Sequence, residues 1–181
     1  MFKNSLRKKI LSLRKKNFDN SLRINFQSLK NIIKKKNIKN SILGFYYPVN
    51  YEINCLNLIN QFHKLKIKFA LPIIKKKNRM DFFLWSKKDP LISNRYGIPE
   101  PIYSQIVYPD IIFTPIVAFD KNKHRLGYGG GFYDRYLHKL NKKKNFLSIG
   151  IAFSFQEVKK IPINKFDYKL DLVITERSII K

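Results

Sequence analysis

Four of the chain's seven glycines fall between Gly127 and Gly131, inside the run Arg125-Leu126-Gly127-Tyr128-Gly129-Gly130-Gly131-Phe132-Tyr133-Asp134-Arg135. Glycine reaches backbone angles closed to other residues and lets a ligand approach the main chain. Upstream, Pro115–Phe119 reads as extended apolar chain, and downstream Phe132–Leu140 has apolar residues at helical spacing. The unit is therefore strand, glycine loop, helix. Successive N–H groups in such a loop form a concave nest for anions, and the helix N-terminus adds positive potential there. With Arg125 and Arg135 on either side, the expected ligand is phosphate. Asp134 is then placed to hold a divalent cation against it.

Two better-known phosphate loops are excluded. A P-loop needs Lys-Ser or Lys-Thr after its last glycine, and none follows here. The dinucleotide fingerprint starting at Gly127 would require glycine at 132, where Phe stands. An ordinary surface turn is the plain alternative, but such turns rarely set glycines between two arginines and an acid at a helix start.

Along the rest of the chain helical and extended patterns alternate. Ser5–Lys16 and Asn20–Lys36 are expected helices, Ser41–Tyr47 a buried strand ended by Pro48, and Ile53–Lys64 a helix with Leu56, Ile59 and His63 on one face. Ile67–Ile73 and Asp81–Trp85 are expected strands joined by a lysine-rich turn. Residues 87–109, with Pro90, Pro99, Pro101 and Pro109, read as a long irregular segment, a kind more often functional than idle. Ile111–Phe113, Phe146–Phe153 and Leu172–Thr175 complete the strands. Alternation of this kind predicts a three-layer α/β/α fold with a mostly parallel, Rossmann-like sheet, and a ligand beyond the strands' carboxyl ends. A chain of 181 residues suits one domain, 1–181.

Composition removes several function classes. No run of about 18 apolar residues exists, so no membrane span or membrane partner is expected. The first residues lack a signal peptide's apolar core, and the lone Cys55 fits a reducing cytoplasm. The formal charge of +25 invites a nucleic-acid partner. However, the lysines are spread through every segment, and aromatics such as Phe82, Phe83 and Trp85 sit in apolar runs that look like core. Salt-sensitive sticking to polyanions is expected, specific nucleic-acid recognition is not. The expected partner is a small molecule, and the expected state a monomer.

The ordered motifs resemble the 5-formyltetrahydrofolate cyclo-ligase (5,10-methenyltetrahydrofolate synthetase) family. They are Lys3-Asn4-Ser5-Leu6-Arg7, Tyr46-Tyr47 with Glu52, Tyr96-Gly97-Ile98-Pro99-Glu100-Pro101, and Thr114–Asp120 followed by Arg125–Arg135. Gly150-Ile151-Ala152-Phe153 and Asp167–Asp171 extend the likeness over nearly the whole chain. The resemblance implies ATP-driven, magnesium-dependent closure of 5-formyltetrahydrofolate to the 5,10-methenyl form. It implies that the formyl oxygen takes the γ-phosphoryl group and that N10 then displaces phosphate. No protein nucleophile is required, in keeping with the absence of a Ser/His/Asp or Cys/His constellation.

Roles follow position by position from that resemblance. Lys3 and Arg7, one helical turn apart, match residues on the nucleotide phosphates, and Arg125, Leu126, Gly127, Tyr128, Gly129, Gly130, Gly131, Phe132 and Tyr133 match the ATP loop. Tyr128 to Phe132 also approach the folate, together with Tyr47, Glu52 and Tyr96. Gly130 stands where some relatives carry Lys, which would leave phosphate contact there to backbone N–H groups. Arg125, Tyr133 and Asp134 are the catalytic positions. Asp134 and Asp167 match the magnesium-linked acids, with Asp171 as the alternative to Asp167. Cys55 has no partner base and is expected to be inert, His63 and His138 have no metal-ligand spacing, and His124 lies beside the loop.

Overall fold

A computed structural model describes residues 3–19, 21–22, 24–34, 41–62 and 67–181. The chain opens with helices α1 (Lys3–Lys16) and α2 (Phe26–Lys34), strand β1 (Ile42–Gly44) and helix α3 (Asn57–Phe62). Strands β2 (Lys68–Lys75), β3 (Arg79–Leu84), β4 (Leu91–Ser93), β5 (Pro99–Pro101) and β6 (Ile106–Val107) come next. They lead to β7 (Ile111–Pro115), β8 (Ala118–Phe119), β9 (Arg125–Leu126) and helix α4 (Phe132–Asn141). Strand β10 (Leu147–Ile151), a 3-10 turn (Ser154–Gln156), β11 (Leu172–Ile174) and β12 (Ile179–Ile180) complete it.

Eight strands form the main sheet in the order β12-β11-β10-β7-β1-β2-β3-β6. The pairs β11–β10, β10–β7, β7–β1 and β1–β2 are parallel, while β2–β3, β3–β6 and β11–β12 are antiparallel. Numbered among themselves in chain order, the five mutually parallel strands lie 2-1-3-4-5, a doubly wound order that reverses between β1 and β7. The expected three-layer α/β fold with a mostly parallel sheet is the one adopted.

Successive strand residues point to opposite faces, which divides the core in two. Leu43, Leu71, Ile111, Phe113, Ile149, Leu172 and Ile174 join Leu29 and Ile33 of α2 and Leu58, Ile59 and Phe62 of α3. Their neighbours Ala70, Ile112 and Val173 join Tyr136, Leu137 and Leu140 of α4 on the other face. Both faces are covered, so β7 is buried except at Pro115 and β10 is buried throughout, Thr114 and Ser148 included. Helix α1 packs separately, with Leu6 and Ile10 against Val117, Ala118 and Leu126 of the β8–β9 hairpin. That docking carries the basic face of α1 to the start of the glycine loop.

Several boundaries differ from expectation for local reasons. In place of the helix expected from Ile53, Asn54 accepts from the Leu56 N–H and Cys55 opens a turn, so α3 starts at Asn57. The helix expected from Asn20 starts at Phe26, because Asp19 accepts from the backbone and hydroxyl of Ser21 in a competing turn. Residues 20, 23, 35, 36, 63 and 64, including His63, lie outside the described residues. The segment 87–109 is not wholly irregular: β4 and β5 form a hairpin, and β6 extends the sheet edge.

Gly150 marks the tightest approach of the α4-side core to the sheet. A Cβ there would overlap Ile116 Cδ1 and stand 2.7 Å from Leu170 Cδ1. Gly150→Ala is expected to cost about 1–3 kcal/mol through overpacking. A urea midpoint unchanged from wild type would contradict this packing.

Candidate active site

The reversal between β1 and β7 predicts a crevice beyond their carboxyl ends. A cleft of about 1680 Å³ lies there, lined by the segment after β1, the glycine loop after β9 and the start of α4. Lys3, Arg7, Tyr47, Glu52, Tyr96, all of Arg125–Asp134, and Asp167 line it. One cavity therefore gathers every site residue anticipated from the sequence, from five separate stretches of chain. Eight Lys and Arg residues line it against three acids, so the cleft favours a polyanion.

The glycine loop has the backbone that its composition requires. Gly129 (φ 106°) and Gly131 (φ 64°) occupy left-handed conformations that side chains strain to reach. Gly131 is also the N-cap of α4 and offers no capping side chain, so the helix's first N–H groups are left for a ligand. Arg7 Nε donates to the Gly127 carbonyl at 2.7 Å, and Arg135 donates to the Gly130 carbonyl and, at 3.0 Å, to the Asn78 carbonyl. These arginines turn the loop carbonyls aside. A Cβ at Gly130 would lie 2.6 Å from the Phe132 ring, so Phe132 fills the space a side chain would need.

Arg125 is buried, and its Nη2 donates to Asp134 Oδ1 at 2.7 Å. Burial lowers its pKa, opposed by the nearby carboxylates of Asp134 and Asp167. Its Nε has no partner among the described residues. Asp134 also accepts from the Tyr168 N–H at 3.1 Å, which ties α4 to the stretch carrying Asp167. Asp167 accepts from Lys3 Nζ at 2.5 Å and from the Asn164 N–H at 2.7 Å. Asp171 instead accepts from the backbone and hydroxyl of Ser148, both at 2.7 Å, and does not line the cleft. The hydroxyl of Tyr133 is buried at the cleft with no partner among the described residues. Leu126 is chiefly a core residue against α1.

On the opposite wall, Asn50 (φ 50°) and Tyr51 (φ 64°) hold a strained turn that folds Glu52 inward. Glu52 Oε2 accepts from the Val49 N–H at 2.9 Å, and Oε1 accepts from the Tyr128 hydroxyl at 2.8 Å. Burial outweighs these contacts and Arg14, raising the Glu52 pKa to about 7. Since α3 begins at Asn57, Glu52 is not a helix N-terminal acid. Tyr96 stands at the tip of the β4–β5 hairpin, half exposed, edge-on to Phe132 at 6.2 Å. Asn94 holds that tip by accepting from the Tyr96 and Ile98 N–H groups and donating to the buried Glu100.

Of the other candidates, His138 lines the cleft and His124 and Cys55 do not. His124 is engaged by Asp120, whose carboxylate also accepts from the backbone of Asn122, His124 and Ile161. Burial pushes the Cys55 thiol to about 12, and Sγ contacts the Tyr46 carbonyl at 3.4 Å, so it is inert. Arg14 was not anticipated as a site residue. It reads as one more basic position on α1, yet it is buried and reaches both the Ile116 carbonyl and the Tyr128 hydroxyl.

The doubly wound α/β fold thus sets a main-chain anion nest and the acids Asp134 and Asp167 at its switch point, an arrangement suited to a phosphate-bearing ligand. The model of the 5-formyltetrahydrofolate cyclo-ligase family matches residues 1–176, and the chain belongs to that family. Relatives named 5-formyltetrahydrofolate cyclo-ligase include one from Mycoplasma genitalium, 36% identical over 95% of this chain and 96% of its own length. Another, from Haemophilus influenzae, is 35% identical over 77% of each chain. Among solved structures, the 5,10-methenyltetrahydrofolate synthetase of Aquifex aeolicus superimposes with a TM-score of 0.78 at 30% identity, covering 99% of this chain and 92% of that one. The Mycoplasma pneumoniae synthetase gives 0.73 at 26% identity, covering 97% and 99%.

Proposed function

We propose that this chain couples ATP hydrolysis to the cyclisation of 5-formyltetrahydrofolate, yielding 5,10-methenyltetrahydrofolate, ADP and phosphate. The observation that carries the reading is the single cleft, in which a main-chain anion nest faces a buried carboxylate across a shared tyrosine. Family membership and the names of the relatives support the same reaction.

The chemistry suits the residues. A formamide oxygen is a poor leaving group and its carbon a poor electrophile. Attack of that oxygen on the γ-phosphorus, with ADP leaving, converts it into phosphate on an iminium carbon. N10 then bonds to that carbon, phosphate departs with the former formyl oxygen, and the N10 proton is lost. The protein's part is to align the two substrates and neutralise phosphate charge. The N–H groups of the loop and α4, with Lys3, Arg7 and Arg125, suit the triphosphate. Glu52, an acceptor when ionised, suits the donor edge of the pterin, with Tyr47 and Tyr96 beside it. Tyr133 presents a hydroxyl near the transferring group.

Magnesium is part of the proposal. Among the described residues no group of three or more His, Cys, Asp and Glu side chains is arranged to hold a metal. The donor set nevertheless fits an ion held by one or two carboxylates plus substrate phosphates, with Asp134 and Asp167 as the carboxylates and both within electrostatic reach of Arg125. Bound there, the ion would supply charge neutralisation on the phosphates. Asp134→Asn should lower turnover about 10²-fold or more and raise the magnesium concentration for half-maximal rate, with an unchanged circular dichroism spectrum. Unchanged turnover would refute the assignment.

The remaining expectations belong to the same proposal: one domain over 1–181, a monomer, cytoplasmic, with no specific nucleic-acid partner. No helix among the described residues is long and apolar enough to cross a membrane. The deciding assay follows methenyl absorbance after ATP and magnesium are added to protein and 5-formyltetrahydrofolate. Product should form only when all components are present; folded, magnesium-loaded protein that forms none would overturn the reading.

A further inference from the structure

Arg14 lies at the last turn of α1 just before the exposed Lys15 and Lys16, yet is only 1% exposed itself. Burying a guanidinium is costly unless its donors are used. Nη1 donates to the Ile116 carbonyl just beyond β7 at 3.1 Å and Nη2 to the Tyr128 hydroxyl, while the buried Nε has no partner among the described residues. The guanidinium carbon also stands 5.5 Å from the centre of the Tyr128 ring.

Arginine can only donate, so the Tyr128 hydroxyl oxygen is an acceptor toward Arg14 and must send its one proton elsewhere. It sends it to Glu52 Oε1, at 2.8 Å. The result is a directed chain from α1 through the middle of the glycine loop to the carboxylate on the opposite wall. Tyr128 sits between Gly127 and Gly129, and its backbone belongs to the anion nest. Its side chain belongs to the other seat.

We propose that Arg14 is a positioning residue that couples the nucleotide seat to the folate seat, acting through the Tyr128 hydroxyl on Glu52. The inference rests on the reading given under Proposed function. Donors from a folate held by Glu52 keep that carboxylate ionised and so keep Tyr128 in place, which fixes the loop in the shape that receives triphosphate. By reciprocity, triphosphate on the loop fixes Tyr128 and so orients Glu52. Anchorage to the Ile116 carbonyl lets the chain transmit position, because the arginine is held from the sheet side as well.

A purely structural Arg14 would alter stability and leave the linkage between ligands untouched. The test is titration of a non-hydrolysable ATP analogue with magnesium, with and without saturating 5-formyltetrahydrofolate, and the converse titration. In wild type, each ligand is expected to tighten the other about tenfold. Tyr128→Phe keeps the ring and removes the hydroxyl, and should bring that factor to within about twofold of unity. Arg14→Lys retains charge but not the forked donors, and should fall between. Full coupling in both variants, or none in wild type, overturns the inference while leaving the function standing. Failure of wild type to bind either ligand alone overturns the function and the inference with it.

Discussion

Arg125→Ala should reduce kcat by about 10²–10³-fold, the scale of removing one preorganised donor from a developing anion. Arg125 supplies a buried positive charge between two carboxylates, and its Nε donor has no protein partner among the described residues. A donor left unsatisfied at a buried, ligand-facing position is costly unless a substrate uses it. The arginine also neutralises Asp134, so its removal leaves an acid at the loop with no guanidinium beside it. Arg125 is buried but Asp134 is partly exposed, so losing the pair also costs stability and thermal melts must accompany the kinetics. Arg125→Lys restores charge without the fork and should recover stability before it recovers rate. Wild-type kcat in either variant would remove Arg125 from the chemistry.

Glu52→Gln should lower kcat/KM for the folate by about 10–10²-fold, the range of a hydrogen bond to a charged group, with little change in the KM for ATP at saturating folate. The pH dependence is a separate signature. The folded carboxyl titrates at about 7 against an ordinary value of 4.5. Donor groups of the substrate need the ionised form, so wild-type kcat/KM should fall as pH drops below about 7 and level off above it. The Gln variant should lose that limb. Stability moves the opposite way. Between 4.5 and about 7 the folded chain holds a proton that the unfolded chain releases, so ligand-free stability decreases as pH rises through that window. The full change is about 3 kcal/mol, absent below the lower value and complete above the upper one. A stability–pH slope equal in wild type and Glu52→Gln would contradict the burial argument.

What could be read from the sequence depended on how local its cause was. The glycine loop and α4 were legible because glycine spacing and helical periodicity are properties of neighbouring residues. The same holds for the strands β1, β2, β3, β7, β10 and β11, whose apolar runs exceed what a surface segment carries. The two-residue strands β6 and β12 left no such trace, since only their partners β3 and β11 make them strands. The α3 start was misplaced because a side-chain acceptor, Asn54, competes with the helix. Among site residues, the basic positions on α1 divide only in three dimensions. Arg7 meets the loop and Arg14 is buried under Tyr128, 114 residues away, while Lys8 and Lys9 are solvated. Nothing in the local pattern separates them. Likewise, only the fold shows that Asp167 lines the cleft while Asp171 accepts from Ser148.

A crystal structure with a non-hydrolysable ATP analogue, magnesium and 5-formyltetrahydrofolate tests the central claim most directly. The terminal phosphate should rest on the N–H groups of residues 129–134, with the formyl oxygen facing it and the pterin edge on Glu52. A triphosphate bound elsewhere, with residues 125–134 contacting neither ligand, would contradict the account.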